Sequence, residues 1–247
     1  MIALYTEKGW EIITQRAHGL LAGEICAKWK EDDLCGRRVE TLVATAGHDD
    51  AFNEFSDNKL LDSHGAPLNF KSASFDEQAS EVLLDLALTK SRFIALLTAR
   101  HIAFTHGKEP RAKTFLKKLD KLNQTWMQES ESTPEEVDHA YRLLQFCDAF
   151  SLLICQRQFP PDARKVEISK GPDGTAYSVY ATGEELIISP WPFNTDRFAI
   201  SYESRSLNDL QFKNDNHFRD ELRSVKVIRN FITLAKKPGK ITKGARN

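Results

Sequence analysis

His48, Asp49 and Asp50 close a largely apolar run, Leu42-Val43-Ala44-Thr45-Ala46-Gly47, within the stretch TLVATAGHDDAF from Thr41 to Phe52. An imidazole and two carboxylates carried toward an interior are costly to bury without partners. A divalent cation would supply one, because neutral imidazole and carboxylate oxygen make an N/O ligand set suited to Mn, Fe, Zn, Co or Mg. Such a site needs further ligands, and three other polar residues stand among apolar neighbours. His18 shares a helical stripe with Leu21, Ala22, Ile25 and Trp29; His101 lies with Ile94, Leu97, Thr98, Phe104 and Thr105; Asp148 sits among Leu143, Leu144, Phe146, Ala149 and Phe150, with no lysine or arginine within a turn. A lone histidine on such a stripe is most simply a core residue bonded to backbone. Several buried polar residues together point instead to a site.

The elements that must position these groups read as helices. Gln15 to Lys30 carries the His18 stripe behind a short hairpin, Met1 to Tyr5 and Trp10 to Thr14, with Thr14 as its N-cap. Arg37 to Asp50 reads as a second helix ending in the His-Asp-Asp motif. Phe75 to Thr89 follows as a third, with Val82, Leu83, Leu86 and Ala87 inward. Ser91 to His106 carries His101, and Pro110 to Glu129 is a helix with a lysine-rich face. Thr133-Pro134-Glu135-Glu136 has the form of a capping box with proline at the first helical position and opens the Asp148 helix, up to Phe159. Between the second and third helices, Asn53 to Ser74 has no clear period; a loop of that length in a compact domain is usually functional, and it could cover the site. His64 beside Gly65 reads as a turn residue or a ligand arriving on closure, and His106 as a charge complementing a helix C-terminus.

After Pro160-Pro161 the pattern changes. Val166 to Lys170, Thr175 to Thr182, Glu185 to Ser189 and Arg197 to Ser204 read as antiparallel strands, followed by a short helix at His217 to Ser224 and a strand at Val225 to Leu234. The expectation is an α+β chain: a helical domain over 1–160, a small C-terminal antiparallel β appendage over 161–235, and a basic mobile tail over 236–247.

Composition bounds the function. With 34 Lys+Arg against 35 Asp+Glu the net charge is -1, so no global basic field collects nucleic acid or anionic lipid; the tail is the one local excess, and nucleic acid is the least supported partner. The cysteines Cys26, Cys35, Cys147 and Cys155 form no C-x-x-C pair, and Cys147 and Cys155 fall about 12 Å apart along one helix, too far to bridge. Reduced thiols, no secretory leader and no span-length apolar segment make a soluble, cytoplasmic protein the expectation. Oligomeric state is left open.

In order along the chain, His18, His48-Asp49 and Asp148 give H, then HD, then D. That order resembles the HD-domain superfamily of metal-dependent phosphohydrolases, all-helical proteins in which these four residues bind a divalent cation. A closer likeness is to an uncharacterised prokaryotic family within that superfamily, through Gln15-Arg16-Ala17-His18-Gly19-Leu20-Leu21-Ala22-Gly23, Gly47-His48-Asp49-Asp50, Gly65-Ala66-Pro67 with Phe70, the Ser91 to His101 helix, Asp148-Ala149-Phe150-Ser151-Leu152 and Pro190-Trp191-Pro192-Phe193. Ala51-Phe52 departs from it, since that family continues Gly-Trp.

The resemblance implies an HD-like helical bundle with metal ligands His18, His48, Asp49 and Asp148, and with His101 as a further ligand or a base. Asp49 could bridge a second ion with His101 and His106. It makes Asp49, Asp50 and His101 the catalytic candidates, Asp50 as orienter or proton acceptor. For a phosphate clamp the chain offers Arg16, Arg92, Arg100 and Arg142, among which the sequence does not choose, each read most simply as a surface charge. The implied activity is a phosphohydrolase acting on a nucleotide or small phosphoester. A non-catalytic ligand-binding or sensing module is the alternative.

Overall fold

Residues 1–30, 36–56, 59–160 and 163–238 are described by a computed structural model of the chain. The predicted tail beyond residue 238, most of the predicted 31–36 connection and Asp57-Asn58 lie outside the described residues.

The chain opens with strands β1 (Ile2–Thr6) and β2 (Gly9–Ile13), and Thr14 then caps helix α1 (Gln15–Lys28) by accepting the Ala17 amide. Helix α2 (Arg38–Ala46) follows, then α3 (Glu77–Leu88), α4 (Arg92–His106), α5 (Lys113–Glu129) and α6 (Pro134–Cys155). The capping box of α6 is present: Thr133 Oγ1 accepts the Glu136 amide, and the Glu136 carboxylate accepts the Thr133 amide. Strands β3 (Val166–Lys170), β4 (Ala176–Thr182), β5 (Glu185–Ser189) and β6 (Arg197–Leu207) lead to helix α7 (Asp215–Ser224) and strand β7 (Val227–Ala235).

These strands make one seven-stranded sheet in the order β1-β2-β6-β7-β5-β4-β3. This corrects the expectation of a small C-terminal antiparallel appendage. The N-terminal hairpin joins the sheet by pairing β2 with β6, Trp10 opposite Leu207, and β5 runs parallel to β7, so the sheet is mixed. Periodicity marks a strand but not its partner, and this partner lies about two hundred residues away along the chain.

The HD-like helical bundle implied by the resemblance does not describe this chain either. One face of the sheet packs on α1 and α6 through Ile25, Trp29, Phe146, Phe150, Ile200 and Leu234, so the two helices that carry His18 and Asp148 rest on β-structure. A second core lies among α3, α4, α5 and α6, around Phe93, Leu97, Phe115 and Leu144. α6 belongs to both cores, which accounts for its apolar residues lying nearly all round. A third cluster, with Ile12, Leu60, Phe212 and Phe218, fills the space between α7, the 59–61 segment and the strands at the β1 end.

Two helix predictions shift. α2 ends at Ala46 with Gly47 as its cap, so His48 and Asp49 stand on a turn rather than on the helix. On α3 the buried residues are Ser80, Leu83, Leu84 and Ala87, whereas Val82 and Leu86 are exposed: the stripe is rotated by about one position. No described helix is long and apolar enough to cross a membrane.

Candidate metal centre

α1 and the end of α2 meet closely because two glycines permit it. A Cβ on Gly19 would lie 2.6 Å from the Ala46 carbonyl oxygen, and one on Gly23 would lie 2.8 Å from the Ala46 Cβ. This approach delivers the turn after Ala46 against the face of α1 that carries His18. Gly47 donates back to Val43, the Asp50 amide to Gly47 and the Phe52 amide to Asp49, which fixes the turn that presents His48 and Asp49.

His18 Nε2 and His48 Nε2 face each other at 3.1 Å. Asp148 Oδ1 lies 3.2 Å from the first and 3.3 Å from the second; Asp49 Oδ2 lies 3.7 and 3.5 Å from them. Ligand bonds of about 2.0–2.2 Å place neighbouring tetrahedral ligand atoms about 3.3–3.6 Å apart. The five separations that involve an imidazole nitrogen bracket that range, and the donors fall in two overlapping triads, His18-His48-Asp49 and His48-His101-Asp148, each compact enough to hold a cation.

Both ring orientations are fixed from behind. His48 Nδ1 donates to the Thr45 carbonyl at 2.7 Å. Ser151 donates its hydroxyl proton to the Asp148 carbonyl at 2.8 Å and thereby accepts from His18 Nδ1 at 2.7 Å. With both Nδ1 atoms protonated, two Nε2 lone pairs point at each other inside the protein. Such a contact is repulsive unless a proton or a cation lies between them. Burial pushes the His48 imidazole down, but the Asp49 and Asp148 carboxylates together outweigh it and raise it to about 10. Burial also opposes the Asp148 charge, and the two histidines overcome it, holding that carboxyl well below the usual carboxylate range.

Gln15 Nε2 donates to Asp49 Oδ2 at 2.8 Å and steadies it. His101 stands beside the cluster, its ring edge-on to His48 with centroids 4.9 Å apart, and one of its nitrogens lies within 4.8 Å of ligand atoms of His48 and Asp148. Its Nδ1 is buried without a hydrogen-bond partner. Burial first, then the neighbouring His48 charge, hold its pKa below the ordinary histidine value.

Asp50 takes no place in the cluster. Its carboxylate folds back toward Gly47, and its carbonyl accepts from Arg16 Nη2 at 2.6 Å. His106 bonds Glu109 through Nδ1 at 2.7 Å and borders the cavity described below. Arg92 and Arg100 pair with Glu129 and Asp138, and Arg142 donates to the Pro172 carbonyl. None of the four arginines lines that cavity.

The cluster opens on a cavity of about 680 Å³ between α1, α3, α4, α6 and the 51–54 and 59–76 segments. The predicted covering loop is therefore one of its walls. Sequence reasoning missed three contributors. Gln15 is three residues before His18 and Ser151 three after Asp148, so helical spacing could have placed both beside the ligands. Lys59, the one lysine or arginine among the described lining residues, carries no such signal.

Fold and site together define an α+β protein with a cluster of two buried imidazoles and two partly buried carboxylates at the end of a cavity. Residues 1–209 match the family described as a protein of unknown function, DUF3891, and the chain belongs to that family. No curated protein and no solved structure matches it. The family found and the seven-stranded sheet overturn the HD-domain resemblance, since nothing in the comparisons connects the chain to that superfamily.

Proposed function

We propose that this chain binds a divalent first-row cation through His18, His48, Asp49 and Asp148 and hydrolyses a small phosphate ester. The observation that carries the reading is the pair of buried Nε2 atoms facing each other at 3.1 Å with a carboxylate oxygen about equidistant from both. A bound cation would lower the pKa of a coordinated water and screen the phosphate oxygens.

The residues of the chain do the rest. Thr45, Ser151 and Gln15 orient the ligands. Hydrolysis adds water across the ester: the water oxygen bonds to phosphorus, the ester P–O bond breaks, and the leaving oxygen takes up a proton. His101 borders the cavity and can accept the proton that the attacking water gives up. The buried free thiols Cys26, Cys147 and Cys155 support a cytoplasmic setting.

The test is elemental analysis of the native protein, followed by a phosphoester panel with the metal-loaded form. About one equivalent of metal is expected, with a rise in thermal stability on adding Mn, Fe, Zn or Co and turnover that His101→Ala reduces by about a hundredfold. No metal and no stabilisation would overturn the site. Metal without turnover across the panel would overturn catalysis and leave a binding or sensing module.

A further inference from the structure

Away from the cluster, most polar side chains on the cavity wall are engaged within the protein, and among the described lining residues Gln15 Oε1, Ser74 and Thr105 are exceptions. Asn69 donates through Nδ2 to the Ala3 carbonyl and accepts the Lys71 amide on Oδ1. Asn53 Oδ1 accepts the Phe55 amide, Glu54 Oε1 the Gln15 amide and Asp76 Oδ1 the Ala79 amide. Ser72 and Ser80 donate to the Asn69 and Asp76 carbonyls. These are the groups that would otherwise read a sugar or a base.

Most of what remains toward the cavity is hydrocarbon, including Phe52, Leu60, Leu68, Phe70, Phe104 and Leu152. Phe104 is 60 % exposed, an aromatic left uncovered at a concave site rather than packed into a core. Lys59 adds a positive charge to this wall. The volume of about 680 Å³ is far more than an inorganic phosphate fills, so a ligand held at the cluster carries a sizeable body into the apolar part.

We infer that the cavity takes an anionic ester with an apolar body, an aryl or alkyl phosphate monoester, rather than a nucleotide or a sugar phosphate. A nucleotide would bury sugar hydroxyls and base edges against a wall with few unengaged donors and acceptors, and unpaired polar groups reject a ligand strongly. An aryl or alkyl body displaces water from carbon surface instead. The inference rests on reading the cluster as the anion-holding cation site, and its test separates the two.

Phenylphosphonate and methylphosphonate carry the same head group and cannot be hydrolysed. Isothermal titration of the metal-loaded protein should give phenylphosphonate at least tenfold tighter binding, with a more negative heat-capacity change. Phe104→Ala, at an exposed position that folding tolerates, should reduce that preference about fivefold while methylphosphonate binding stays put. In turnover, 1-naphthyl phosphate should exceed ribose 5-phosphate and adenosine monophosphate in kcat/KM by at least tenfold. Equal phosphonate affinities, or a preference for the nucleotide, would overturn the inference. Tighter phenylphosphonate binding without turnover of any ester would sustain it while removing catalysis. If the protein takes up no metal, the same comparison uses anilinonaphthalene sulfonate fluorescence on the metal-free protein: micromolar binding weakened by Phe104→Ala sustains the apolar site, and no binding overturns it.

Discussion

The two sides of the cavity are built on different principles. On the ligand side, α1, α4 and α6 are packed helices, and His18, His48 and His101 are each at least nine-tenths buried. On the opposite side, the wall is largely irregular chain tied by hydrogen bonds to other elements, among them Asn69 to the Ala3 carbonyl and the Phe70 amide to the Met1 carbonyl. Asp215 Oδ1 accepts the amides of Leu60 and Leu61 at 2.8 and 3.0 Å, and the Phe212 amide donates to the Gly65 carbonyl at 2.8 Å. Phe212 and Asp215 lie beyond residue 209, where the family match ends, whereas the four clustered residues and His101 lie within it. The difference teaches that the two ends of the cavity can be perturbed separately: one rests on helix packing, the other in part on a fastening supplied by Phe212 and Asp215.

The strongest way to break this comparison is to remove a ligand. His48→Ala should abolish metal uptake and lower the stability of the metal-loaded protein by about 3 kcal/mol, measured by urea unfolding with and without metal. Equal stability loss in the metal-free form alone would mean the residue serves packing. A smaller effect is expected behind the ligands. Ser151→Ala leaves the His18 Nδ1 proton without its acceptor and should weaken metal binding about tenfold with little change in the fold, read by competition with a chelating dye.

On the other side, Asp215→Ala strips two wall amides of their acceptor. It should cost about 2 kcal/mol and weaken phenylphosphonate binding severalfold while the metal content is unchanged. Lost metal in that variant would show that the two sides are one unit.

The mildest perturbation is pH. In the metal-free protein His48, raised to about 10, contributes stability that is whole below the ordinary histidine value and is lost as pH rises through 10. Asp148, held well below the usual range, contributes stability present above about pH 4 and lost in acid. Near neutrality metal binding should therefore release about one proton, detected by titration calorimetry in buffers of different ionisation enthalpy. Zero release would place a neutral His48 in the metal-free state.

How much of this was legible depended on whether the signal was local. His18, His101 and Asp148 stood out because each interrupts an apolar helical stripe, and a helix keeps such neighbours within a turn. Asp50 was grouped with His48 and Asp49 by adjacency, but a turn sends successive side chains in different directions, and only its two predecessors reach the cluster. Phe104 was read as inward and is mostly exposed at the cavity, because periodicity gives a face and not what lies against it. Val82 and Leu86 failed similarly on α3. The sheet was hidden most deeply, since pairing Trp10 with Leu207 leaves no trace in either strand's own pattern.

The position of β7 has a consequence for how the chain comes off the ribosome. It is the strand that joins β6 to β5, so until it emerges the sheet exists only as two three-stranded pieces, β1-β2-β6 and β5-β4-β3. Each piece leaves an open edge of unpaired backbone amides and carbonyls for the time needed to synthesise α7 and β7. A chain that has not yet made β7 is thus open to edge-to-edge association, and closing the sheet awaits that strand.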